Sequence, residues 1–345
     1  MDEPTHVIDP DGEVIIVLKD ANSPFAVWPE EKTEDEKSKI LRVPNEDTTP
    51  QSETEEEETE ENCFRIRVSA KHLTLVSPVF KSLLVGGWKE SSTFIHTGST
   101  ELTVSGWDLE AFLVVMRMIH NQHTKIPRKV SLELFAKIIV IVDYYKCKDA
   151  IGFFADVWLD DLDGNSELRN KIACTFSRDL MLWLWISWIF QRSDQFKIST
   201  AIAIKYIKAQ ISSLGLPLPA RLIDQLNHER EKGIESVMAA LEKQRSFLLS
   251  ENWPCGYAFQ CTSMMLGGLE KYMFTNGLFP APTAPFDGFG YQDLVDKIRN
   301  FEPPTWYHSS NTYGSHLCSG SKQGYQQLKL TTESTVGLNF LYSYY

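Results

Sequence analysis

The chain offers one set of side chains with the chemistry of metal ligands. A cysteine lies near another cysteine or a histidine in CGYAFQC, residues 255–261, and in HLC, residues 316–318. Three thiolates and one imidazole form a common closed tetrahedral Zn²⁺ site, and residues at i and i+2 point to the same side of an extended segment. The sequence therefore predicts a structural zinc ion held by Cys255, Cys261, His316 and Cys318.

The spacing of these ligands leaves a second interpretation open. Cys-x5-Cys is wider than the two to four intervening residues of most structural zinc sites. In the second interpretation the three cysteines are ordinary buried thiols, the histidine lies at the surface, and no metal is bound. If zinc is bound, it staples the segment after a long helical pattern at 221–251 to the segment near residue 316.

Motifs of the common enzyme classes are absent from the sequence. It contains no G-x-S-x-G, no GxxxxGK[ST], no H-E-x-x-H and no G-x-G-x-x-G before a helix. Cys147 lies between Lys146 and Lys148, which could lower the pKa of a thiol, but a helix-terminal cysteine beside exposed lysines is the commoner situation. We therefore expect a protein without catalytic activity.

Charge is distributed very unevenly along the 345 residues. The formal net charge is −12, and residues 30–61 contain 14 acidic and 4 basic side chains. Such a segment buries too little apolar surface to offset the entropy of ordering, so we predict a disordered acidic insertion at 30–62. The rest of the chain is close to neutral and has no broad basic face, so no direct binding of nucleic acid is expected.

Two features bear on the compartment of the protein. The start, MDEPTHVIDPDGEV, lacks the basic and apolar regions of a secretory signal, and six cysteines are spread without the density of a disulfide scaffold. We expect an intracellular protein, in the nucleus or the cytoplasm. The apolar run LMLWLWISWIF, residues 180–190, is shorter than the roughly 20 residues of a membrane helix, so it predicts a buried helix and no membrane association.

Strand and helix patterns alternate over the first 162 residues. GEVIIVLKD, residues 12–20, and CFRIRVSA, residues 63–70, predict strands, and STFIHTGSTELTVSG supplies one or two more. A helix begins near Ser69 or Lys71, and we expect its Leu75 to be buried, so that Leu75→Asp would abolish folding. Two further apolar helices begin at the N-caps Asp108 and Ser131.

The remainder of the chain has a different pattern. LDDLDGNSE, residues 159–167, marks a boundary between a domain at 1–162 and a second, mainly helical domain at 163–345. The helical pattern runs to about residue 250, and residues past 275 are rich in Pro, Gly, Ser and Tyr. We predict an irregular tail at 251–345 that contains the Cys and His residues.

The elements of the first domain together resemble a BTB/POZ domain, and the chain is similar to fungal proteins of that family. The resemblance covers residues 8–162 if the acidic stretch is an insertion. It depends on the order and spacing of IDPDGEVIIVL, FRIRVSAKHLTLVSPVFKSLL, WDLEAFLVVMRMIHNQ and IPRKVSLELFAKIIVIVDYYKCKDAIGFFADVWL. It implies an α+β fold in which a small sheet is flanked by helices, followed here by the mainly helical C-terminal domain.

The resemblance also implies a function. BTB/POZ domains are non-enzymatic interaction modules that assemble homodimers or hetero-oligomers, so the protein would be an adaptor that recruits protein partners and is expected to form a homo-oligomer such as a homodimer. Some members dock a cullin scaffold, which makes a cullin-type ubiquitin ligase substrate adaptor an alternative. A transcription co-regulator and an unrecognised enzyme in the C-terminal half are further alternatives. Ser69 stands where many animal members carry a histidine, so their partner rules transfer poorly.

Overall fold

A computed structural model describes most of the chain outside the acidic segment. The described residues are 3–28, 62–86, 94, 96–166, 177–250, 257–306, 318–320, 325, 328 and 337–339. The predicted disordered insertion at 30–62 lies outside the described residues except for Asn62.

The fold is mixed α/β and divides into two compact units. The first comprises Met1–Lys171, Met181–Ile189 and Ser213–Pro217, and the second comprises Ile172–Leu180, Phe190–Ser212 and Leu218–Tyr345. Each unit is therefore discontinuous in sequence, whereas the domains predicted from the sequence, 1–162 and 163–345, are continuous.

A small four-stranded sheet lies in the first unit. Its strands are β1 (His6–Val7), β2 (Val14–Lys19), β3 (Phe64–Val68) and β4 (Thr100–Ser105), in the order β1-β3-β2-β4. The central β2 is antiparallel to β3 and parallel to β4. Ile16 pairs with Ile66 on one side and Leu102 on the other, and all three are buried. This register gives the sheet one continuous apolar face.

The segment Met1–Lys171 of this unit includes five α-helices with described bounds and two short 3-10 helices, at His123–Lys125 and Lys148–Ala150. The α-helices are α1 (Ala70–Val76), α2 (Pro78–Val85), α3 (Leu109–Ile119), α4 (Leu132–Tyr144) and α5 (Gly152–Gly164). The predicted N-caps of α3 and α4 are confirmed: Asp108 accepts a hydrogen bond from the Ala111 amide at 3.0 Å, and Ser131 accepts one from the Leu134 amide at 3.1 Å. The two capped helices pack against each other and are buried on more than one side.

The apolar run at 180–190 lies in α6 (Arg178–Ile189). Every residue from Leu180 to Trp188 is buried, which confirms the predicted buried helix. In the part of the chain that the structure describes, no helix is long and apolar enough to cross a membrane.

The second unit contains α7 (Ser193–Tyr206), α8 (Ala220–Leu249), α9 (Ala258–Thr275) and α10 (Tyr291–Arg299). The prediction of an irregular tail at 251–345 is therefore wrong for α9 and α10. The Pro and Gly residues that suggested it are concentrated in the connection between these helices. Within α9, Cys261, Met265, Leu269 and Met273 recur every fourth residue and are buried in a core shared with α8 and α10.

A buried arginine of α8 organises the connection between α9 and α10. The guanidinium of Arg230 donates to the carbonyl oxygens of Pro285 at 2.7 Å, Phe286 at 2.9 Å, Phe289 at 3.0 Å and Ile207 at 3.4 Å. Burial lowers its pKa from the usual range of arginine. Its hydrogen bonds satisfy carbonyl groups that no helix or strand would otherwise pair.

Candidate functional site

The structure describes two of the four predicted zinc ligands. Cys261 is buried in α9, Cys318 is half-buried, and both contact the hydrophobic core of the second unit. Cys255 and His316 lie outside the described residues. Among the residues that are described, no group of three or more His, Cys, Asp or Glu side chains could hold a metal ion. The zinc site therefore stays a prediction.

Cys147 has the environment of a structural thiol. It is buried, and its Sγ lies 3.8 Å from the carbonyl oxygen of Val142. Burial raises the pKa of this thiol to about 12, because the thiolate loses its hydration. The thiolate is the nucleophile of cysteine chemistry, so Cys147 has little nucleophilic character despite the adjacent lysines.

Helix α1 is fixed at its amino end by two side chains from distant parts of the chain. The Ser69 amide donates to Nε2 of His120 at 2.9 Å, and the Ala70 amide donates to a carboxylate oxygen of Glu13 at 3.1 Å. Both amides lie at the start of the helix, where no intrahelical acceptor exists. The side chain of Ser69 itself makes no capping bond, so these remote groups replace the ordinary N-cap.

The hydrogen bonds of His120 require a neutral imidazole. Because Nε2 accepts from Ser69, the proton lies on Nδ1, which donates to the Met116 carbonyl oxygen at 2.8 Å. Burial lowers the pKa of His120, and the ring of His72, 4.9 Å away between centroids, lowers it further. The Met116 bond and the charge of Asp9 oppose this shift but do not reverse it. The neutral form therefore predominates over a wider pH range than for an exposed histidine.

The carboxyl end of α1 is fixed just as firmly. Ser77 Oγ donates to the Tyr145 carbonyl oxygen at 2.6 Å and accepts from the Phe80 amide at 3.1 Å, which starts α2. The ring of Phe80 stacks on Tyr145 at a centroid distance of 4.2 Å. The pair α1–α2 is therefore attached to the end of α4 through a serine and two aromatic rings.

Between these attachments the two helices expose apolar side chains. Leu75 is 81% exposed and Val85 is 58% exposed. We call the exposed residues of the pair the α1–α2 surface: Lys71, Leu75, Pro78, Lys81, Ser82 and Val85. Residues 70–86 include no acidic side chain, so the charged residues of the two helices are lysines, and the Glu13 carboxylate lies at the amino end of α1. A fixed backbone with exposed aliphatic side chains is suited to contact another protein, since little ordering entropy is lost on binding.

The expectation that Leu75 is buried is wrong. Leu73 is fully buried, and two residues along a helix correspond to a rotation of about 200°, so both cannot face the core. Consequently Leu75→Asp changes a surface and does not place a charge in the core.

Comparisons of the chain with protein-family models, with curated proteins and with solved structures found no match.

Proposed function

We propose that the first unit is a BTB/POZ-like module and that the protein is a non-enzymatic adaptor, which self-associates and recruits protein partners through this module. The order of the elements supports the proposal. β2, β3, α1, α2, β4, α3, α4 and α5 follow one another as the resemblance implies. The central position of β2, between an antiparallel and a parallel neighbour, is compatible with a small sheet flanked by helices.

The observation that carries the proposal is the exposure of Leu75 on a helix fixed at both ends. Burial of a leucine side chain contributes about 1.5–3 kcal/mol. A symmetric dimer uses the same patch on both subunits, so two copies of Leu75 and Val85 would be buried together. The two copies of Leu75 then contribute about 3–6 kcal/mol, a large fraction of the roughly 8 kcal/mol of a micromolar dimer.

The charges of the α1–α2 surface allow self-association to be tested by varying the salt concentration. A symmetric interface would bring together two surfaces that both carry Lys71 and Lys81, and the whole chain carries −12. Both effects are repulsive, and dissolved salt screens them. Self-association is therefore expected to strengthen as salt concentration rises.

The experiment compares three full-length proteins by size-exclusion chromatography with light scattering. Wild type is expected to have the mass of a dimer or larger oligomer at tens of micromolar, and Leu75→Asp to be monomeric yet folded. Leu249→Asp replaces a leucine that is 53% exposed in the second unit and should behave as wild type. A monomeric wild type, or an oligomeric Leu75→Asp, would contradict self-association through this surface.

For the second unit we propose a structural zinc ion held by Cys255, Cys261, His316 and Cys318. The support is the placement of Cys261 and Cys318 against one hydrophobic core, although they are 57 residues apart. Thiolates drawn from such distant positions are typical of a metal that links chain segments.

A further inference from the structure

Helix α5 of the first unit has a second exposed apolar surface. Phe153 is 77% exposed and Val157, one turn later, is 42% exposed. The opposite side of the helix is buried and consists of Ala155, Trp158, Leu159 and Leu162. We call the exposed residues Phe153, Asp156, Val157 and Asp160 the α5 surface.

Aromatic rings connect Phe153 to the core below it. Phe153 contacts Phe154 edge to face at 5.6 Å, and Phe154 lies 5.9 Å from Trp158. Trp158 in turn packs against Phe135 at 5.5 Å and donates from Nε1 to the Pro127 carbonyl oxygen at 3.0 Å. Phe153 is thus an exposed aromatic side chain on a rigid support, as are many residues that dominate protein interfaces.

The charges of α5 are arranged against its own dipole. Its thirteen residues include four carboxylates and no basic side chain, and none of the carboxylates lies in the first turn. Asp160, Asp161 and Asp163 lie near the carboxyl end, where the helix already has partial negative charge. Lys129 forms an ion pair with Asp161, at the edge of this group. The charge of Asp160 near this end opposes helix stability, and a cationic partner would relieve it.

We propose that the α5 surface docks a basic amphipathic helix of a partner protein. Apolar side chains of that helix would cover Phe153 and Val157, and its Lys or Arg side chains would face the Asp160 carboxylate. The inference rests on the adaptor function proposed above and names the chemistry of one partner class. A second copy of this chain is disfavoured as the occupant, because a symmetric contact would bring the carboxylates of two α5 helices together.

The test uses a fluorescent 18-residue peptide of leucine and lysine, with leucine at i, i+3, i+4 and i+7. A control peptide of the same composition has its leucines spread around the helix. Anisotropy titrations with the full-length protein near physiological salt should give tight binding of the first peptide only. Phe153→Ser should weaken that binding about tenfold. Phe259→Ser, at a phenylalanine 65% exposed in the second unit, should leave it unchanged.

A charge variant separates docking from a purely structural role. Asp160→Asn should weaken peptide binding several-fold while raising the thermal midpoint by about 1–3 °C, since it removes a charge from the negative end of the helix. A midpoint that falls would contradict the opposition between charge and dipole. The control replaces Glu55 and Glu56 of the acidic segment by glutamine. It removes two negative charges, twice as many as Asp160→Asn, from another part of the chain and should leave the affinity for the peptide unchanged.

Three results would overturn the proposal. They are equal affinity for the two peptides, equal affinity of wild type and Phe153→Ser, and a lower mass of Phe153→Ser in light scattering, which would make a second copy the occupant. The same samples distinguish this inference from the proposed function. An oligomeric wild type that ignores the peptide contradicts only docking at α5, whereas a monomeric wild type that binds it through Phe153 contradicts only self-association.

Discussion

Replacing Arg230 by methionine should destabilise the second unit selectively. Methionine keeps much of the apolar volume but removes the guanidinium donors to the Pro285, Phe286 and Phe289 carbonyl oxygens, which lie within 3.0 Å of the guanidinium. Of these three, the Phe286 oxygen keeps a second hydrogen bond, from the Phe289 amide at 3.1 Å. A buried acceptor left without a partner costs about 1–3 kcal/mol. Removal of the buried charge offsets part of this cost, because its desolvation penalty disappears. We expect a net loss of about 3–5 kcal/mol from the free energy of unfolding.

Thermal unfolding followed by circular dichroism and tryptophan fluorescence measures this loss. For a unit of this size each kcal/mol lowers the midpoint by about 2–4 °C, so the second unit of Arg230→Met should unfold roughly 10 °C earlier. Lys232→Met on the same helix is the matched control, since Lys232 is exposed and its ion pair with Glu229 spans 3.8 Å. A midpoint for Arg230→Met within about 2 °C of the control would refute the structural role of the arginine.

Three further predictions concern other parts of the chain. His120 has a lowered pKa in the folded state, so below about pH 6.5 the unfolded chain binds a proton that the folded chain does not. The free energy of unfolding should therefore fall as pH is lowered from 7.5 to 5.5, and the urea midpoint of His120→Asn should fall less than that of wild type over the same range. Protein purified without chelator should contain about one zinc ion per chain by elemental analysis. A zinc content below about 0.2 per chain, or a Cys261→Ser variant as stable as wild type, would contradict the zinc site. Replacing residues 30–61 by a short Gly-Ser linker should shift the thermal midpoint by less than about 5 °C, and a larger drop would mean that the acidic segment supports the fold.

Local patterns allowed much of the secondary structure to be predicted from the sequence. The caps Asp108 and Ser131 and the strands around Ile16 and Ile66 depend on neighbours within a few residues, and the structure has them where the patterns indicate. The burial of α6 followed from its length and its charged flanks. These features depend on periodicity and capping, which operate over one or two helical turns.

Features that depend on distant residues were missed. His120 contacts the start of α1 across 51 positions, and Arg230 reaches carbonyl groups 55 to 59 positions away. In the sequence Arg230 stands in HEREK and has the pattern of a solvated face. Leu75 was misjudged because a leucine near Leu73 looks like core until the helical phase is known. The exposure of Phe153 was missed for the same reason, because two adjacent phenylalanines, Phe153 and Phe154, leave open which ring faces the core until the helical phase is known.

The central claim is that two copies of the chain meet at the α1–α2 surface, and a cysteine at position 75 tests it directly. Leu75→Cys is made with Cys63→Ser, because Cys63 is an exposed thiol, and Leu249→Cys in the same background is the control. Under mild oxidation, non-reducing electrophoresis should show a covalent dimer for the position 75 variant at concentrations where wild type self-associates. Dimer formed equally well at position 249, or none at position 75 in a protein that light scattering shows to be oligomeric, would contradict the account.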